Sequence, residues 1–530
     1  MQQSGLLSNL CDWAPQNLGM TFVFGFSLLT VGFFLFRQIT TFYNANLHPL
    51  CKFPGPVAAC RSETWLYQMT KSDFQEENFG KLHEKYNTQA LRIGPNELHI
   101  SDVNLYKVIY GQSSPFPKYA PFYEGFNTPH TVFAECDPLL HKQRRRMLNP
   151  LFSRVGLFKM EPVIQQKIKM LVEKIRLLAG NGPVNVYDAF RLMTTEVILQ
   201  LAFGRAGGLI EEDQNGFRSW FLEGFDAASK SIPDLQYQPW LRKLINIIPQ
   251  TLVYKLSPEI GNLLDITKFA EDSVRHWQKS ESRPDHPVVF EALETVDDAE
   301  KVTEGMDILI AGADTTASTL TTGLIHILTD SEIERRLLEE VDLLPTDENG
   351  QLSLQALEKS EYLVGHPMGY CAPKTIEVLT RFAQNATVKE ALRVGMAVPG
   401  RLPRVVPDSL TEPFIVDGKV VPPGTTVSIS TYTMHTNTSI WGPDARNFRP
   451  DRWIGPQSKG LEQYFCTFSK GARMCIGQNL APAEIIIALA YLLRNFKMSL
   501  RSKSDIGAKN DRFTLQYEAP GLQVTFKPRY

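Results

Sequence analysis

Cys475 lies in a loop that constrains this chain more than any other local pattern in the sequence. Residues 468–477 read FSKGARMCIG and run into the apolar segment that begins at Leu480. Glycines beside a cysteine allow backbone N–H groups to approach its sulfur, and the apolar segment predicts a buried helix behind the loop. A lone cysteine is more often a small buried hydrophobic residue than a ligand. A binding role for Cys475 therefore depends on support from other segments.

Length and composition indicate a globular protein without a charge-based partner. The 530 residues include 55 basic and 57 acidic side chains, and a net charge of −2 gives no reason to expect nucleic acid. The seven cysteines are scattered and contain no C-x-x-C pair, which argues against a disulfide framework or a zinc ribbon. Scattered cysteines of this kind are typical of a protein in a reducing compartment.

An uncharged apolar segment occupies residues 18–36. As a helix it would span roughly 28 Å, close to the thickness of a bilayer's hydrocarbon core. No Lys or Arg precedes it and basic residues follow from Arg37 onward, so the positive-inside rule predicts a lumenal N-terminus and a cytosolic remainder. A cleaved signal peptide would need a basic start and a shorter apolar run. We predict one uncleaved transmembrane helix and its linker within residues 1–45, and one catalytic domain over residues 46–530.

The remaining pattern is mainly α, with short strands near both ends. Residues 90–101 predict two strands around a Gly-Pro-Asn turn, and residues 414–430 and 513–526 predict two hairpins. The signal between them is mostly helical up to about residue 395. The fold class expected is therefore mainly α with a small β subdomain.

Residues 237–250 combine an apolar helical face with adjacent basic side chains. The apolar face contains Trp240, Leu244 and Ile248. Such a face is compatible with a second contact with a membrane surface. Packing in the protein core is the preferred interpretation.

The cysteine loop matches the pattern F-x-x-G-x-R-x-C-x-G at every fixed position, namely Phe468, Gly471, Arg473, Cys475 and Gly477. With this pattern the sequence resembles the cytochrome P450 family. The resemblance implies a P450 fold and a Cys475 thiolate as axial ligand of haem iron, shielded and held by backbone N–H donors. It implies that Phe468 lies over the sulfur and that Arg473 reaches a haem propionate. It also implies a helix opening near Ile476 with its positive end toward the thiolate.

A second segment, residues 307–318, reads DILIAGADTTAS inside a long helical pattern. It matches the family pattern A-G-x-D-T-T, which implies that this helix crosses the distal face of the haem. Ala311 and Gly312 would make room there, and Asp314 and Thr315 would relay protons to dioxygen. Taken alone, the segment is better explained as a buried helix whose threonines bond back to its own carbonyls. Beside the cysteine loop, the catalytic interpretation is preferred.

A third segment supplies a predicted structural triad. Glu390 and Arg393 are three residues apart in KEALR, a spacing that is also common in surface ion pairs of little consequence. The family completes E-x-x-R with an arginine from a later loop, and NFRPDRW supplies Arg452 in that place. The resemblance therefore implies a buried triad that locks the cysteine loop.

Haem propionates require basic partners, and the resemblance indicates three besides Arg473: His141, Arg145 and Arg404. The family more often has tryptophan at the position of His141, although histidine also donates a hydrogen bond. Arg401 is a weaker alternative to Arg404. His130 and His435 are interpreted as ordinary histidines.

Residues 364–384 interrupt the family pattern. Their deletion joins the flanks into EYLNATVKEALRV, an uninterrupted helical pattern. The segment begins with valine, whose codons start with GT, and ends with glutamine, one of whose codons is CAG; these are intron boundary signals. We hypothesise a retained intron in the gene sequence, and a spliced transcript that still encodes GHPMGYCAPK would refute it. A translated segment would either displace Glu390 and weaken haem binding or be tolerated as a surface loop.

The resemblance implies a microsomal monooxygenase of fungal type, loosely similar to trichodiene-oxygenase-like enzymes of secondary metabolism. Such an enzyme binds haem b and inserts one oxygen atom of O2 into an apolar small molecule. Its electrons come from NADPH through NADPH-cytochrome P450 reductase, with cytochrome b5 as a second candidate donor. A terpenoid is the first substrate expected by analogy and a polyketide the second. The anchor then places the enzyme in the endoplasmic reticulum membrane.

Docking of the reductase is predicted on a positively charged face near Cys475, formed by Lys470, Arg473 and residues 144–146. Two alternative functions stay open. A haem-thiolate isomerase or dehydratase needs no reductase, and NADPH dependence would distinguish it, although the intact proton-relay pattern argues against it. A haem-binding sensor or a catalytically dead isoform is the other alternative, and it would follow if residues 364–384 disable the site.

Overall fold

Helices form most of the chain. The computed structural model describes residues 14–72, 74–245, 247–348, 350–358, 386–456 and 458–529. The helices in these ranges are α1 (Ala14–Asn46), α2 (Val57–Arg61), α3 (Thr64–Thr70), α4 (Gln75–Tyr86), α5 (Tyr106–Tyr110), α6 (Ala120–Glu124), α7 (Pro138–Leu148), α8 (Arg154–Leu178), α9 (Val186–Phe203), α10 (Leu209–Glu212), α11 (Trp220–Tyr237), α12 (Pro239–Ile245), α13 (Gln250–Leu256), α14 (Pro258–Lys279), α15 (Val289–Ala292), α16 (Asp298–Thr329), α17 (Ser331–Leu343), α18 (Leu354–Leu357), α19 (Ala386–Gly395), α20 (Thr431–Thr436), α21 (Thr438–Trp441), α22 (Ser458–Leu461) and α23 (Leu480–Asn495).

The strands are short and form small sheets. They are β1 (Ala90–Gly94), β2 (Glu97–Ile100), β3 (Val184–Asn185), β4 (Arg404–Val405), β5 (Ile415–Val416), β6 (Lys419–Val420), β7 (Thr426–Ser428), β8 (Phe496–Ser499), β9 (Lys509–Arg512), β10 (Thr514–Tyr517) and β11 (Gln523–Pro528). One sheet has the order β1-β2-β7-β4 and another the order β3-β11-β8, while β5 pairs with β6 and β9 with β10. The predicted class, mainly α with a small β part, is confirmed.

Two of the three strand predictions are confirmed and one is wrong. β1 and β2 pair antiparallel, and β5 and β6 form a hairpin whose Asp417-Gly418 turn has positive φ at both residues. The hairpin predicted over residues 513–526 does not form. Phe513 instead occupies the turn between β9 and β10, and β11 pairs with β3 and β8. The alternating pattern identified strands here but not their partners.

α16 is the central helix of the fold. Asp297 caps its N-terminus by accepting a hydrogen bond from the Ala299 N–H, and the helix packs against α9, α14, α19 and α23. Within the part of the chain searched, α16 is the one helix long and apolar enough to cross a membrane, and 72% of its most apolar window is buried inside the protein. Its apolar character is therefore explained by core packing.

Several exposed apolar side chains lie in α1 and in the α12–α13 region. The predicted anchor falls inside α1, where Phe26 is 74% exposed and Leu29 is 76% exposed. In the α12–α13 region, Trp240 is 61% exposed and Ile247 is 76% exposed, and Leu244 is also exposed. The preferred interpretation of residues 237–250 as core is therefore wrong for Trp240 and Leu244, whose side chains are exposed, while Ile248 is half-buried.

Candidate functional site

The cysteine loop holds Cys475 between a short helical turn and α23. Gly471–Arg473 form a 3-10 turn, and the Cys475 N–H donates to the Phe468 carbonyl at 2.8 Å. The Cys475 side chain is exposed, yet protein surrounds it closely enough to raise the pKa of its thiol, and we interpret this combination as an interior space next to the sulfur. Burial raises the pKa of the Cys475 thiol, while the Gly477 N–H and the charge of Arg145 oppose that rise. The loop thus presents a sulfur whose thiolate already has two stabilising neighbours.

One expectation about this loop is wrong. α23 begins at Leu480, with Asn479 as its N-cap, and not near Ile476. Residues 476–479 form a turn in which the Leu480 and Ala481 N–H groups donate to the Gly477 carbonyl. The helix dipole therefore acts from a greater distance than the resemblance implied, and its effect falls off within about one turn.

Gly471 is required by the path of the loop. Its φ is +72°, and a Cβ at this position would lie 2.4 Å from backbone atoms of Gly111. We expect Gly471→Ala to lower the free energy of unfolding by more than about 3 kcal/mol, because strain and a backbone clash add. Gly418→Ala is the control, since Gly418 has φ +69° with open space around it; it should cost about 1–2 kcal/mol. Equal losses in denaturant unfolding would contradict the predicted clash.

Basic side chains converge beside the cysteine loop from four parts of the chain. They are Lys118, His141, Arg145, Arg404 and Arg473. The Arg473 guanidinium donates to the carbonyls of Glu135 and Cys136 at 2.7 and 3.0 Å, and Arg145 donates to the Met474 carbonyl. Arg404 donates to the Tyr123 hydroxyl at 2.5 Å. The structure therefore brings together all four predicted propionate partners, and it adds Lys118, which the sequence pattern did not indicate.

These basic groups repel one another. Burial lowers the pKa of His141 to about 3, and Arg473, Lys118, Arg145 and Arg404 all contribute to that shift. Burial and the two neighbouring arginines also lower the pKa of Lys118. Among the described residues, none of the five makes an ion pair with an Asp or Glu side chain. Buried and half-buried basic groups without carboxylate partners fit a ligand that brings two carboxylates of its own, as a haem does.

Arg401, the weaker alternative, lies outside this group. Its guanidinium donates to Glu97 at 2.8 Å and to the Tyr237 hydroxyl at 2.7 Å, and its side chain is buried. A basic residue whose donors are already used by a carboxylate has less to offer a propionate.

The middle of α16 has an open face and a packed face. Ala311 is exposed and Thr315 is half-buried although most of the helix around them is buried, so this face borders the interior space. The Thr315 hydroxyl donates to the Ala311 carbonyl at 2.7 Å. Gly312 belongs to the packed face, where an added Cβ would lie 2.6 Å from the Ile198 side chain. The small size of Gly312 is therefore explained by packing against α9, and that of Ala311 by the open space.

Two other segments, α9 and β10, bind the carboxylate of Asp314. Its carboxylate accepts hydrogen bonds from Arg191 Nε at 2.7 Å and from Gln516 Nε2 at 3.0 Å, and its side chain is buried. Arg191 also binds Asp226 of α11 at 2.7 Å. Neither Arg191 nor Gln516 could be found from the sequence, because no local pattern places α9 and β10 beside α16.

The predicted triad forms. Glu390 accepts from Arg393 Nη2 at 2.7 Å and from Arg393 Nε at 2.8 Å, and Arg452 Nε donates to it at 3.1 Å. The backbone N–H of Arg449 and the Trp453 indole donate to the same carboxylate, each at 2.9 Å. The three side chains of the triad are buried. These contacts exist in a chain that contains residues 364–384, which themselves lie outside the described residues.

The predicted docking surface is smaller than expected. Arg144 is buried and pairs with Glu300 and Glu304 of α16, and Arg145 points toward Met474. Lys470 donates to the Glu462 carbonyl at 3.0 Å. Arg146 is exposed, as is Lys142 one helical turn earlier on α7. The prediction for Arg144 was wrong because sequence spacing alone does not show which side of α7 faces the core.

Fold and site together define an α-rich protein that presents a thiol beside a cluster of basic side chains that make no carboxylate ion pair within the described residues. A family model described as Cytochrome P450 matches residues 63–365 and 383–526. Cytochrome P450 monooxygenase MO6277 of Ascocoryne sarcoides is 30% identical over 517 residues, covering 92% of this chain and 95% of that protein. Tryptophan 6-hydroxylase fscE of Fusarium equiseti is 30% identical over 502 residues, covering 90% and 92%. Cytochrome P450 monooxygenase aneF of Aspergillus aculeatus is 29% identical over 478 residues, covering 87% and 90%.

The chain belongs to the cytochrome P450 family. It is accordingly an oxidoreductase of the monooxygenase type, and the family implies a haem iron cofactor. The family match is interrupted between residues 365 and 383, inside the segment singled out as foreign in the sequence.

Proposed function

We propose that this protein is a membrane-anchored haem b monooxygenase that inserts one oxygen atom of O2 into an apolar small molecule. The observation that carries this proposal is the convergence of Cys475 with five basic side chains that, within the described residues, lack carboxylate partners. When bound through Cys475, haem supplies the reductive activation of dioxygen. Its electrons would come from NADPH through NADPH-cytochrome P450 reductase, with cytochrome b5 as an additional donor.

The basic cluster would orient the cofactor. Arg145, Arg404 and Arg473 are the charged partners expected for the two propionates, with His141 as a neutral donor and Lys118 as a further cation. Loading the site requires Cys475 to lose its proton. The Gly477 N–H and the Arg145 charge would then stabilise the thiolate, and Phe468 and Gly471 would keep the loop in place.

Asp314 and Thr315 are the residues proposed to supply protons. The Thr315 hydroxyl lies on the open face of α16 and would have to turn from the Ala311 carbonyl toward the interior space before it could donate there. Asp314 would have to release Arg191 or Gln516 before exchanging a proton with Thr315. Proton supply would therefore depend on a local rearrangement, and the half-buried Asp226 of α11 lies at the outer end of this network.

An aromatic cluster supports an apolar substrate. Phe126 lies 4.9 Å from Phe133 and 4.6 Å from Phe513, measured between ring centroids, and Phe122 and Tyr123 extend the cluster toward Arg404. These rings connect the segment after α6 with the β9–β10 turn. A terpenoid stays the first substrate proposed and a polyketide the second. The name of the Fusarium relative, a tryptophan 6-hydroxylase, adds tryptophan to the compounds to be tested.

Single-pass insertion in the endoplasmic reticulum membrane is proposed, with the catalytic domain in the cytosol. It is supported by the exposed apolar side chains of α1 and by the basic residues that follow residues 18–36.

Exposed Trp240, Leu244 and Ile247 add a second surface for the membrane. Flotation of a chain without residues 1–45 with vesicles would test the second surface, since a chain that stays wholly unbound would refute it.

Two measurements test the proposed function. The reduced protein with carbon monoxide should give a difference band at the thiolate-ligated position, and a band typical of histidine or neutral-thiol ligation would refute the proposal. Product formation should require NADPH and the reductase, whereas an isomerase or dehydratase would turn over without them. The intact triad argues against a dead isoform, because Glu390 is in place although residues 364–384 are present in the chain.

The interrupted family match supports the retained-intron hypothesis for residues 364–384. It also agrees with a tolerated surface insertion, because contacts behind the cysteine loop are complete. Sequencing of the spliced transcript distinguishes the two.

A further inference from the structure

His435 has unusually specific contacts for a histidine outside the residues assigned so far. Its side chain is fully buried, with Nδ1 3.0 Å from the Arg393 carbonyl oxygen and Nε2 3.0 Å from the Cys466 backbone nitrogen. A carbonyl oxygen only accepts a hydrogen bond and a backbone N–H only donates one. Nδ1 therefore carries the proton and Nε2 has none, so the contacts select one neutral tautomer.

His435 and Arg393 are bonded in both directions. The Arg393 Nη1 donates to the His435 carbonyl at 2.9 Å, while the His435 ring donates to the Arg393 carbonyl. Arg393 is itself fixed by Glu390 of the triad. The His435 ring also stacks on Phe465, with 5.7 Å between centroids and 10° between planes. This side chain therefore has little freedom to move independently of α19.

The other side of the ring holds the start of the cysteine loop. The Cys466 N–H donates a hydrogen bond to His435 Nε2, and the Cys466 carbonyl accepts one from the Ser469 N–H at 2.8 Å. The next residue, Thr467, donates its hydroxyl to the Leu392 carbonyl at 3.0 Å. Two adjacent loop residues are thus tied to the last turn of α19, one directly and one through the imidazole.

We propose that His435 is a positioning residue that transmits the rigidity of the Glu390–Arg393–Arg452 triad to the loop carrying Cys475. It does so by fixing the backbone at Cys466, and it does not touch the cofactor. This inference rests on the proposed role of Cys475 as the haem ligand. It gives the triad a physical route to the thiolate, namely Arg393, the imidazole, Cys466 and then the loop.

The electrostatic surroundings keep the ring in the required state. Burial and the charge of Arg393 lower the pKa of His435 from 6.5 to about 3, and Lys470 of the loop contributes in the same direction. Because the folded-state pKa is depressed, the stability from the neutral ring is present in full above pH 6.5 and is lost as the pH falls toward about 3. A protonated Nε2 would place a donor against the Cys466 N–H, which would break the connection.

Three variants of the full-length protein, loaded with haem b, test the proposal. His435→Phe keeps a ring against Phe465 but removes both hydrogen bonds, whereas the amide of His435→Gln can donate to the Arg393 carbonyl and accept from the Cys466 N–H. His83→Phe is the matched control, because His83 of α4 is also buried with a hydrogen bond at each ring nitrogen, 2.8 Å from the Thr88 carbonyl and 2.8 Å from His99. The ratio of thiolate-ligated to thiol-ligated carbon monoxide bands measures how well the loop positions Cys475. The midpoint of thermal unfolding measures the stability of the whole protein.

We expect His435→Phe to lower the band ratio at least about tenfold, and His435→Gln to recover most of it. His83→Phe should lower the thermal midpoint and leave the ratio unchanged. Amide hydrogen exchange of the ligand-free protein is the second readout, in which His435→Phe should accelerate exchange at Cys466 and Cys475 more than in α9. If His435→Phe does not fold, His435→Asn replaces it, because its shorter amide cannot span both partners.

An unchanged band ratio in His435→Phe would overturn the proposal. So would an equal loss in His83→Phe, or uniform acceleration of exchange through the protein, because either would indicate a general loss of stability. A wild-type protein without the thiolate band would instead refute the proposed haem function. The exchange comparison on ligand-free protein would still decide whether His435 holds the loop.

Discussion

Replacing Cys475 with alanine is expected to remove haem binding through sulfur and to reduce turnover to the background rate. Cys475 lies near the end of the cysteine loop, where its exposed side chain is close to Arg145 of the basic cluster. A methyl group has no lone pair to give to a metal, and nothing else in the loop replaces a thiolate. The measurements are the Soret absorption of the purified protein and the NADPH-dependent formation of product.

Cys466→Ala is the matched control for that experiment. Cys466 precedes Cys475 in the same segment, but its side chain is 1% exposed and burial raises the pKa of its thiol to about 12. It is therefore a small buried group and not a thiolate. Cys466→Ala should retain the Soret band and activity with a modest loss of stability of about 1 kcal/mol. Retention of both signals in Cys475→Ala would show that the proposed ligand is incorrect.

Removing the carboxylate of Glu390 is expected to have the second largest effect. Glu390→Ala removes the buried carboxylate that accepts hydrogen bonds from the Arg393 and Arg452 guanidiniums, the Arg449 N–H and the Trp453 indole. The two guanidiniums keep backbone carbonyl acceptors but lose their shared buried counter-charge. Breaking a buried ion pair by removing one partner costs about 3–5 kcal/mol, out of a typical total of about 5–15 kcal/mol. We expect little folded protein and no thiolate-type carbon monoxide band.

Glu332→Ala provides the comparison on an exposed helix surface. Glu332 also pairs with two arginines, Arg335 at 2.8 Å and Arg336 at 2.9 Å, but all three side chains are well exposed. Exposed pairs of this kind contribute little to stability, because water screens the two charges. Chemical denaturation of both variants should therefore separate them by several kcal/mol. Similar small losses would mean that the buried triad is not a stabilising unit.

Much of the candidate site was predictable because it depends on short, fixed spacings. The cysteine loop, the Ala311–Thr315 segment and the Glu390–Arg393 pair each occupy one continuous stretch of sequence. The structure brings Arg452 to Glu390 and gathers His141, Arg145, Arg404 and Arg473 into one cluster. The role of these groups in binding a cofactor stays a prediction, and their convergence agrees with that prediction.

The remainder was not predictable, since it depends on contacts between segments that share no pattern. Lys118 enters the basic cluster through its bridge to Arg404, and Arg191 meets Asp314 because α9 packs on α16. The sequence gives no sign of a role for His435, because its two ring partners are backbone groups that no side-chain motif shows. The hairpin predicted over residues 513–526 does not form, because an alternating apolar pattern predicts a strand but not the strand with which it pairs.

The packing of Gly312 against Ile198 limits how the sequence of this enzyme can diverge. A methyl group at residue 312 would overlap the isoleucine side chain on the facing helix. Related sequences that acquire alanine there should carry a smaller residue at the site equivalent to 198, so the two positions should covary. In laboratory evolution, an enlarging mutation at one of these positions should be tolerated better after a reducing mutation at the other.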